Sequence, residues 1–153
     1  MVLQGFSRMG RYIMLAALCS VAVSGHAGTT DKEVVMYKDP NCGCCGKWAE
    51  HMRENGFDVR EVATSGMQEI KQDAGVPRAL NSCHTAKVGG YIVEGHVPAE
   101  DVKRLLSERP ELTGIAAPGM PLGSPGMEGP YAAQQYDVVG FSRDGKTAVF
   151  SQH

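Results

Sequence analysis

Three cysteines stand within four residues at Cys42-Gly43-Cys44-Cys45, and a fourth lies at Cys83, followed directly by His84. Cys42 and Cys45 alone have the C-x-x-C spacing of a redox pair, in which one thiolate attacks a disulfide and the other resolves the mixed intermediate. Cys44 needs a further explanation. In a dithiol oxidoreductase a third adjacent thiol competes for the mixed disulfide, whereas a thiophilic metal gains a ligand from it. Side chains of neighbouring residues diverge, so Cys44 and Cys45 suit the bridging of two or more ions better than the chelation of one. Soft thiolates select Cu(I) first, with Zn2+ second and an iron–sulfur cluster third.

Cys83 completes such a site if the fold brings it back to the cysteine turn; the alternatives are a disulfide with one of the other three or an inert core thiol. His84 is read either as a ligand, by its adjacency to Cys83, or as a hydrogen-bonded histidine. Met120 and Met127 lie in the run Ala116 to Pro130, which is dense in Gly and Pro. Thioethers bind Cu(I) selectively, so this run could fold over a copper site as a lid; packing against a sheet is the other reading. His51 and His96 are read as structural or solvent-facing, and Trp48 as core.

Regular elements must position these groups. Glu33 to Lys38 is an apolar, β-branched strand ended by Asp39-Pro40, and Gly43 to Asn55 has helical spacing at Cys45, Trp48, Ala49 and Met52, with Asn55-Gly56 as its stop. The cysteines therefore fall in a helix's first turn, where unpaired N–H groups and the positive end of the dipole favour thiolate. Phe57 to Val62 alternates as a strand, Ser65 to Ala74 reads as a helix stopped by Gly75 and Pro77, and Thr85 to Val88 and Tyr91 to Val97 flank Gly89-Gly90 as a hairpin. Ala99 to Glu108 is a helix opened by Pro98 and stopped by Pro110. This order, β-α-β-α-β-β-α, predicts an α/β (α+β) chain with a thioredoxin-like mixed four-stranded sheet and flanking helices over 33–110. In that fold a reactive cysteine pair sits where Cys42 and Cys45 fall. The remainder, 111–153, reads as the Gly/Pro/Met loop followed by a closing β-hairpin, Tyr136 to Phe141 and Lys146 to Phe150, packing on the core.

The first residues read as an export signal: Arg8 and Arg11 precede the apolar run Tyr12 to Val23, and Gly25-x-Ala27 suits cleavage, giving a segment 1–27 that is removed. Lipidation at Cys19 is the lesser reading, because Leu18 before it is large. Cleavage leaves 13 basic residues against 17 acidic ones and four cysteines, in an oxidising compartment, the periplasm. No basic stripe or Arg-rich helix offers phosphate attraction, so nucleic acid is not an expected partner, and no stable membrane insertion is expected after cleavage.

The runs Cys42 to Trp48 (C-G-C-C-G-K-W), Ser82 to Pro98 (S-C-H-T-A-K-V-G-G-Y-x-V-E-G-H-V-P) and Pro118 to Glu128 (P-G-M-P-x-G-S-P-G-M-E) closely resemble, in the same order, the CopG family of small exported copper-resistance proteins, distinct from the plasmid repressor of that name. The resemblance implies a thioredoxin-like fold, a periplasmic location, and copper in a cysteine-bridged multinuclear cluster with a copper-redox role. By motif it makes Cys42, Cys44, Cys45 and Cys83 the cluster thiols, with His84, Met120 and Met127 beside them. Copper ions are then the partner, together with a periplasmic copper-handling or redox protein. The cis-proline that ordinary thioredoxins carry before their third strand has no counterpart beside Ser82-Cys83-His84, which weakens general disulfide exchange. Two further classes stay open on the residues alone: a thiol-disulfide oxidoreductase using Cys42 and Cys45, and a secreted domain with two structural disulfides.

Overall fold

A computed structural model describes residues 31–153; the expected export segment 1–27, with Cys19, lies outside them. The chain runs β1 (Glu33–Lys38), α1 (Gly43–Glu54), β2 (Asp58–Ala63), α2 (Met67–Asp73), a single 3-10 turn (Arg78–Leu80), β3 (His84–Val88), β4 (Tyr91–Glu94), α3 (Ala99–Glu108), β5 (Gly114–Ala116), β6 (Asp137–Phe141) and β7 (Thr147–Gln152). The fold class is mixed α and β, as expected, and the order through α3 is the one the sequence patterns predict.

The seven strands among the described residues form one sheet in the order β2-β1-β3-β4-β5-β6-β7. β1 and β2 are parallel, joined through α1, while β3 runs antiparallel to both β1 and β4. The sheet does not stop at four strands. β5 pairs parallel to β4, and the C-terminal hairpin adds β6 and β7 beyond it, so the tail extends the same sheet. The sequence gives little sign of β5, because its three residues are buried on both sides and show no alternation.

Side-chain alternation divides the core between the two sheet faces. Val34 and Met36 of β1, Ala86 and Val88 of β3, Val93 of β4 and Ile115 of β5 pack with Trp48, Ala49 and Met52 of α1 and Val102 and Leu105 of α3. The neighbouring Ile92, Ala116, Val139 and Phe141 form a smaller cluster with Ala74, Val76 and Leu80. Helix α3 ends on Arg109 in the left-handed region (φ 50), whose guanidinium donates to the Gly89 carbonyl at 2.7 Å before Pro110 stops the helix.

Among the described residues, no helix is long and apolar enough to cross a membrane.

Candidate metal centre

The turn from β1 into α1 is built by Asp39, whose carboxylate accepts the Asn41 N–H (2.8 Å) and whose carbonyl accepts the Cys42 N–H (3.0 Å). This places Cys42 at the helix N-cap and Cys44 and Cys45 in the first turn. Cys45, three residues on from the cap, points into the core and is disulfide-bonded to Cys42, with their Cα atoms 5.4 Å apart. Cys44 diverges from Cys45, as adjacent residues must, and stays half-buried with a free thiol.

The fourth cysteine arrives through the sheet. Antiparallel pairing of β1 with β3 sets Lys38 opposite His84, so Cys83 emerges where β1 turns toward α1. Cys44 Sγ then lies 3.6 Å from Cys42 Sγ and 4.0 Å from Cys83 Sγ, and the four sulfurs all fall within 4.8 Å of one another. Two sulfurs bound at ~2.3 Å to one tetrahedral ion stand roughly 3.8 Å apart, so the spacing fits sulfur ligation once the disulfide is opened.

His84 is fully buried between the Trp48 ring (centroids 4.4 Å apart) and the His96 ring (5.0 Å, edge-on). Its Nδ1 lies 3.7 Å from Cys83 Sγ, and its Nε2 has no hydrogen-bond partner among the described residues, an omission that ordinarily costs about 1–3 kcal/mol. Burial, followed by His96 and Lys71, holds His84 well below the usual histidine range. Trp48 is core, as expected; its indole donates to the Val97 carbonyl at 2.9 Å. His51 has a structural role too, its Nε2 accepting the Ala99 N–H at the start of α3 (3.1 Å).

His96, read as structural or solvent-facing, is fully buried and touches the cysteine site. Its Nε2 stands 2.8 Å from Cys83 Sγ, and its Nδ1 stands 2.8 Å from the Pro125 carbonyl. A carbonyl only accepts, so Nδ1 carries the proton and Nε2 presents its lone pair to sulfur. Burial also lowers the His96 pKa, while burial and then Cys44 push the Cys83 thiol up to about 12. The hydrogen bonds therefore form a chain of donors: Cys83 S–H to His96, and His96 N–H to the loop. The signal for this was present in the sequence, since counting outward from the Gly89-Gly90 turn puts His96 opposite Cys83.

The Gly/Pro run crosses over this site. At Gly126 (φ +85) an added Cβ would stand 2.8 Å from both the Cys44 carbonyl and the Trp48 nitrogen, so only glycine lets the loop backbone lie on the first turn of α1. The Glu128 carboxylate accepts the Gly126 N–H at 2.9 Å. Met127 follows this contact directly and is half-buried. Met120 is 53% exposed and lines a surface cavity with Pro118, Pro121, Gln134 and Val139.

Beneath the site, on the other sheet face, Glu94 is fully buried and accepts from Lys71 Nζ, the Ser82 N–H and Thr85 Oγ1, each at 2.6 Å. The bond to Ser82 fixes the backbone one residue before Cys83.

Two solved structures, named "Copper resistance protein copG- Form 2" and "Copper resistance protein copG- Form 1", are each 44% identical to this chain. Their TM-scores are 0.76 and 0.75, over 79% of this chain and 97% and 96% of theirs. The chain belongs to the CopG copper-resistance family. Residues 80–127, which hold Cys83, His84, His96 and the overlying loop, also match the family described as "Protein of unknown function, DUF411". No curated protein matches the sequence. The four gathered cysteines form an all-sulfur donor set, whose chemistry suits a soft metal ion.

Proposed function

We propose that this chain is a periplasmic copper-handling protein of copper resistance, which gathers more than one Cu(I) ion on the thiolates of Cys42, Cys44, Cys45 and Cys83. In this reading His84, next to Cys83, and the loop residues Met120 and Met127 supply further ligands to that cluster, and the Gly/Pro loop governs access to it. The observation that carries this reading is the convergence of four sulfurs within 4.8 Å, one of them from 38 residues beyond the other three, in a chain of a copper-resistance family. Isolated redox pairs need two sulfurs; a sulfur-bridged cluster uses all four. The strand order β2-β1-β3-β4, with C-x-x-C at the start of α1, supports the thioredoxin-like reading of the core.

Loading is coupled to thiol redox. With Cys42 and Cys45 joined, two of the four sulfurs have no thiolate to offer. Opening the disulfide takes two electrons and two protons from an external reductant, and binding of Cu(I) then releases the thiol protons, so uptake weakens as pH falls. Bound cations also relieve the repulsion between crowded thiolates.

The Cys42–Cys45 disulfide favours a second reading, a thiol-disulfide oxidoreductase. Anaerobic Cu(I) titration of the reduced chain lacking residues 1–27, with metal analysis after desalting, separates the two. More than one retained copper per chain, lost in Cys42→Ser or Cys45→Ser, is expected. No retained copper together with fast insulin reduction would reject the copper reading for the oxidoreductase.

A further inference from the structure

We infer that Asp101, Ser151 and His153 form a separate site for a borderline divalent transition ion such as Cu(II), where the C-terminal strand β7 meets helix α3. It shares no residue with the thiolate cluster proposed above. Its test runs on a chain without free thiols, so either proposal can fail while the other stands.

Geometry carries it first. Ser151 in β7 and His153 just beyond the strand are two residues apart, so both side chains leave the same face of the extended chain, and they meet Asp101 in the first turn of α3. His153 Nε2 lies 2.7 Å and Ser151 Oγ 2.6 Å from one carboxylate oxygen of Asp101, Oδ2, and the two lie 3.2 Å from each other. Three donor atoms from distant parts of the chain thus form one triangle. Nitrogen and oxygen ligands at about 2.1 Å from an ion stand roughly 3 Å apart when they meet it at right angles, so the triangle needs to widen by only a few tenths of an ångström.

Charge and access point the same way. Asp101 is only 5% exposed, yet among the described residues no lysine or arginine pairs with it. Arg104, one turn along α3, is held instead by Phe150, stacking on its ring at 3.9 Å and donating to its carbonyl. A buried carboxylate without a fixed counter-charge favours a bound cation. The surroundings are acidic as well: the Tyr136 ring stacks on His153, and burial, then Asp101, Glu100 and Glu128, push its hydroxyl up to about 12. His153 itself is 32% exposed and lines a surface cavity of about 480 Å³ with Tyr136 and Gln152, through which an ion can enter.

The donor set decides the metal class. An imidazole, a carboxylate and a hydroxyl offer no sulfur, so they favour Cu(II) or Zn2+ over Cu(I), with water completing the shell. The ion takes the place of the Nε2 hydrogen that His153 directs at Asp101, and the ligating ring, neutral, carries its proton on Nδ1.

The test uses the chain lacking residues 1–27 with Cys44→Ser and Cys83→Ser and the Cys42–Cys45 disulfide intact, which leaves no free thiol to reduce Cu(II). Cu(II) is titrated in and read by metal analysis after desalting and by electron paramagnetic resonance, whose spin-echo modulation counts the bound imidazoles. One Cu(II) per chain with one imidazole is expected, weakened at least tenfold in His153→Gln and in Asp101→Asn. No retained Cu(II), a signal from two imidazoles, or binding unchanged in His153→Gln, which would mark an adventitious ion only, would each overturn the assignment. Should Asp101→Asn fail to fold, His153→Gln decides it. A Zn2+-dependent shift of the His153 ring resonances in the parent chain checks the site without the serine substitutions, and no shift there would equally reject it.

Discussion

Cys83 and His96 face each other across the β3–β4 hairpin, Sγ to Nε2 at 2.8 Å, and the same imidazole holds the overlying loop through the Pro125 carbonyl. One side chain thus joins the sulfur site to its cover, and the expected behaviour of the protein follows from that junction and the groups around it.

The cover depends on close backbone approach at Gly126. Gly126→Ala would drive a methyl to 2.8 Å from the Cys44 carbonyl and the Trp48 nitrogen, at a positive φ that L-residues resist. Overpacking and backbone strain together should cost about 2–4 kcal/mol, read from the urea midpoint. The loop should lift rather than the sheet open, so Cys44 should alkylate faster in the folded variant. A variant with unchanged stability and unchanged Cys44 reactivity would mean that the loop does not rest on α1.

Cys83 should be the slow thiol of the apo protein. Burial and the neighbouring Cys44 push it up to about 12, so its thiolate is scarce at pH 8 and grows only as pH rises toward that value. Alkylation by iodoacetamide, located by mass spectrometry, should lag an ordinary thiol of pKa ~8.5 by at least tenfold. Cys44→Ser removes one of the two causes and should speed the reaction. Equal rates for Cys83 and an unfolded control peptide would contradict this account.

Mild acid should destabilise the metal-free chain. Burial lowers the pKa of both His84 and His96 in the folded state, while in the unfolded chain each returns to ~6.5. The unfolded state therefore binds more protons below that value. The stability these neutral rings confer is complete above pH ~6.5 and is lost as pH falls toward their folded values, with a slope approaching ~1.4 kcal/mol per pH unit for each. Denaturant midpoints between pH 7 and 5 should show the loss, and His84→Gln should flatten it. A flat profile in the parent protein would show that the rings are protonated without penalty.

The Lys71–Glu94 pair should be sensitive to loss of one partner. Its nitrogen and oxygen lie 2.6 Å apart with both side chains at most 5% exposed. Glu94→Gln leaves the Lys71 charge buried without its counter-ion and should cost about 3–5 kcal/mol, whereas Glu94→Gln combined with Lys71→Met should recover part of that. The single variant should also loosen the segment before Cys83, because Glu94 accepts the Ser82 N–H. Thermal unfolding of the single and double variants checks this. Equal losses in the two would show that the pair is not coupled.

Much of this molecule was legible from local pattern. Cys42, Cys44 and Cys45 fall within one turn at a helix start, so their clustering was legible from spacing, and the strands and helices through Glu108 follow from apolar periodicity and from stops such as Asn55-Gly56 and Pro110. Even the Cys83–His96 contact was implicit in the hairpin, since a two-residue turn sets which residues oppose each other outward from Gly89-Gly90. It was passed over because a histidine at a strand end carries no periodic signal of its own.

The sequence by itself determined the chemistry on offer: soft sulfur at a helix start, a second cysteine beside a histidine, and a loop too rich in Gly and Pro to form regular structure. Only the tertiary structure decided which of these groups meet. Cys83 reaches Cys44 because β3 pairs with β1 rather than with β2, and Pro125 reaches His96 because the loop folds back over α1. β5 joins the sheet by burial on both faces, and Lys71 finds Glu94 across elements 23 residues apart. Each of these depends on packing between distant segments, whose free energy is spread over the whole core, and no window of neighbouring residues contains it.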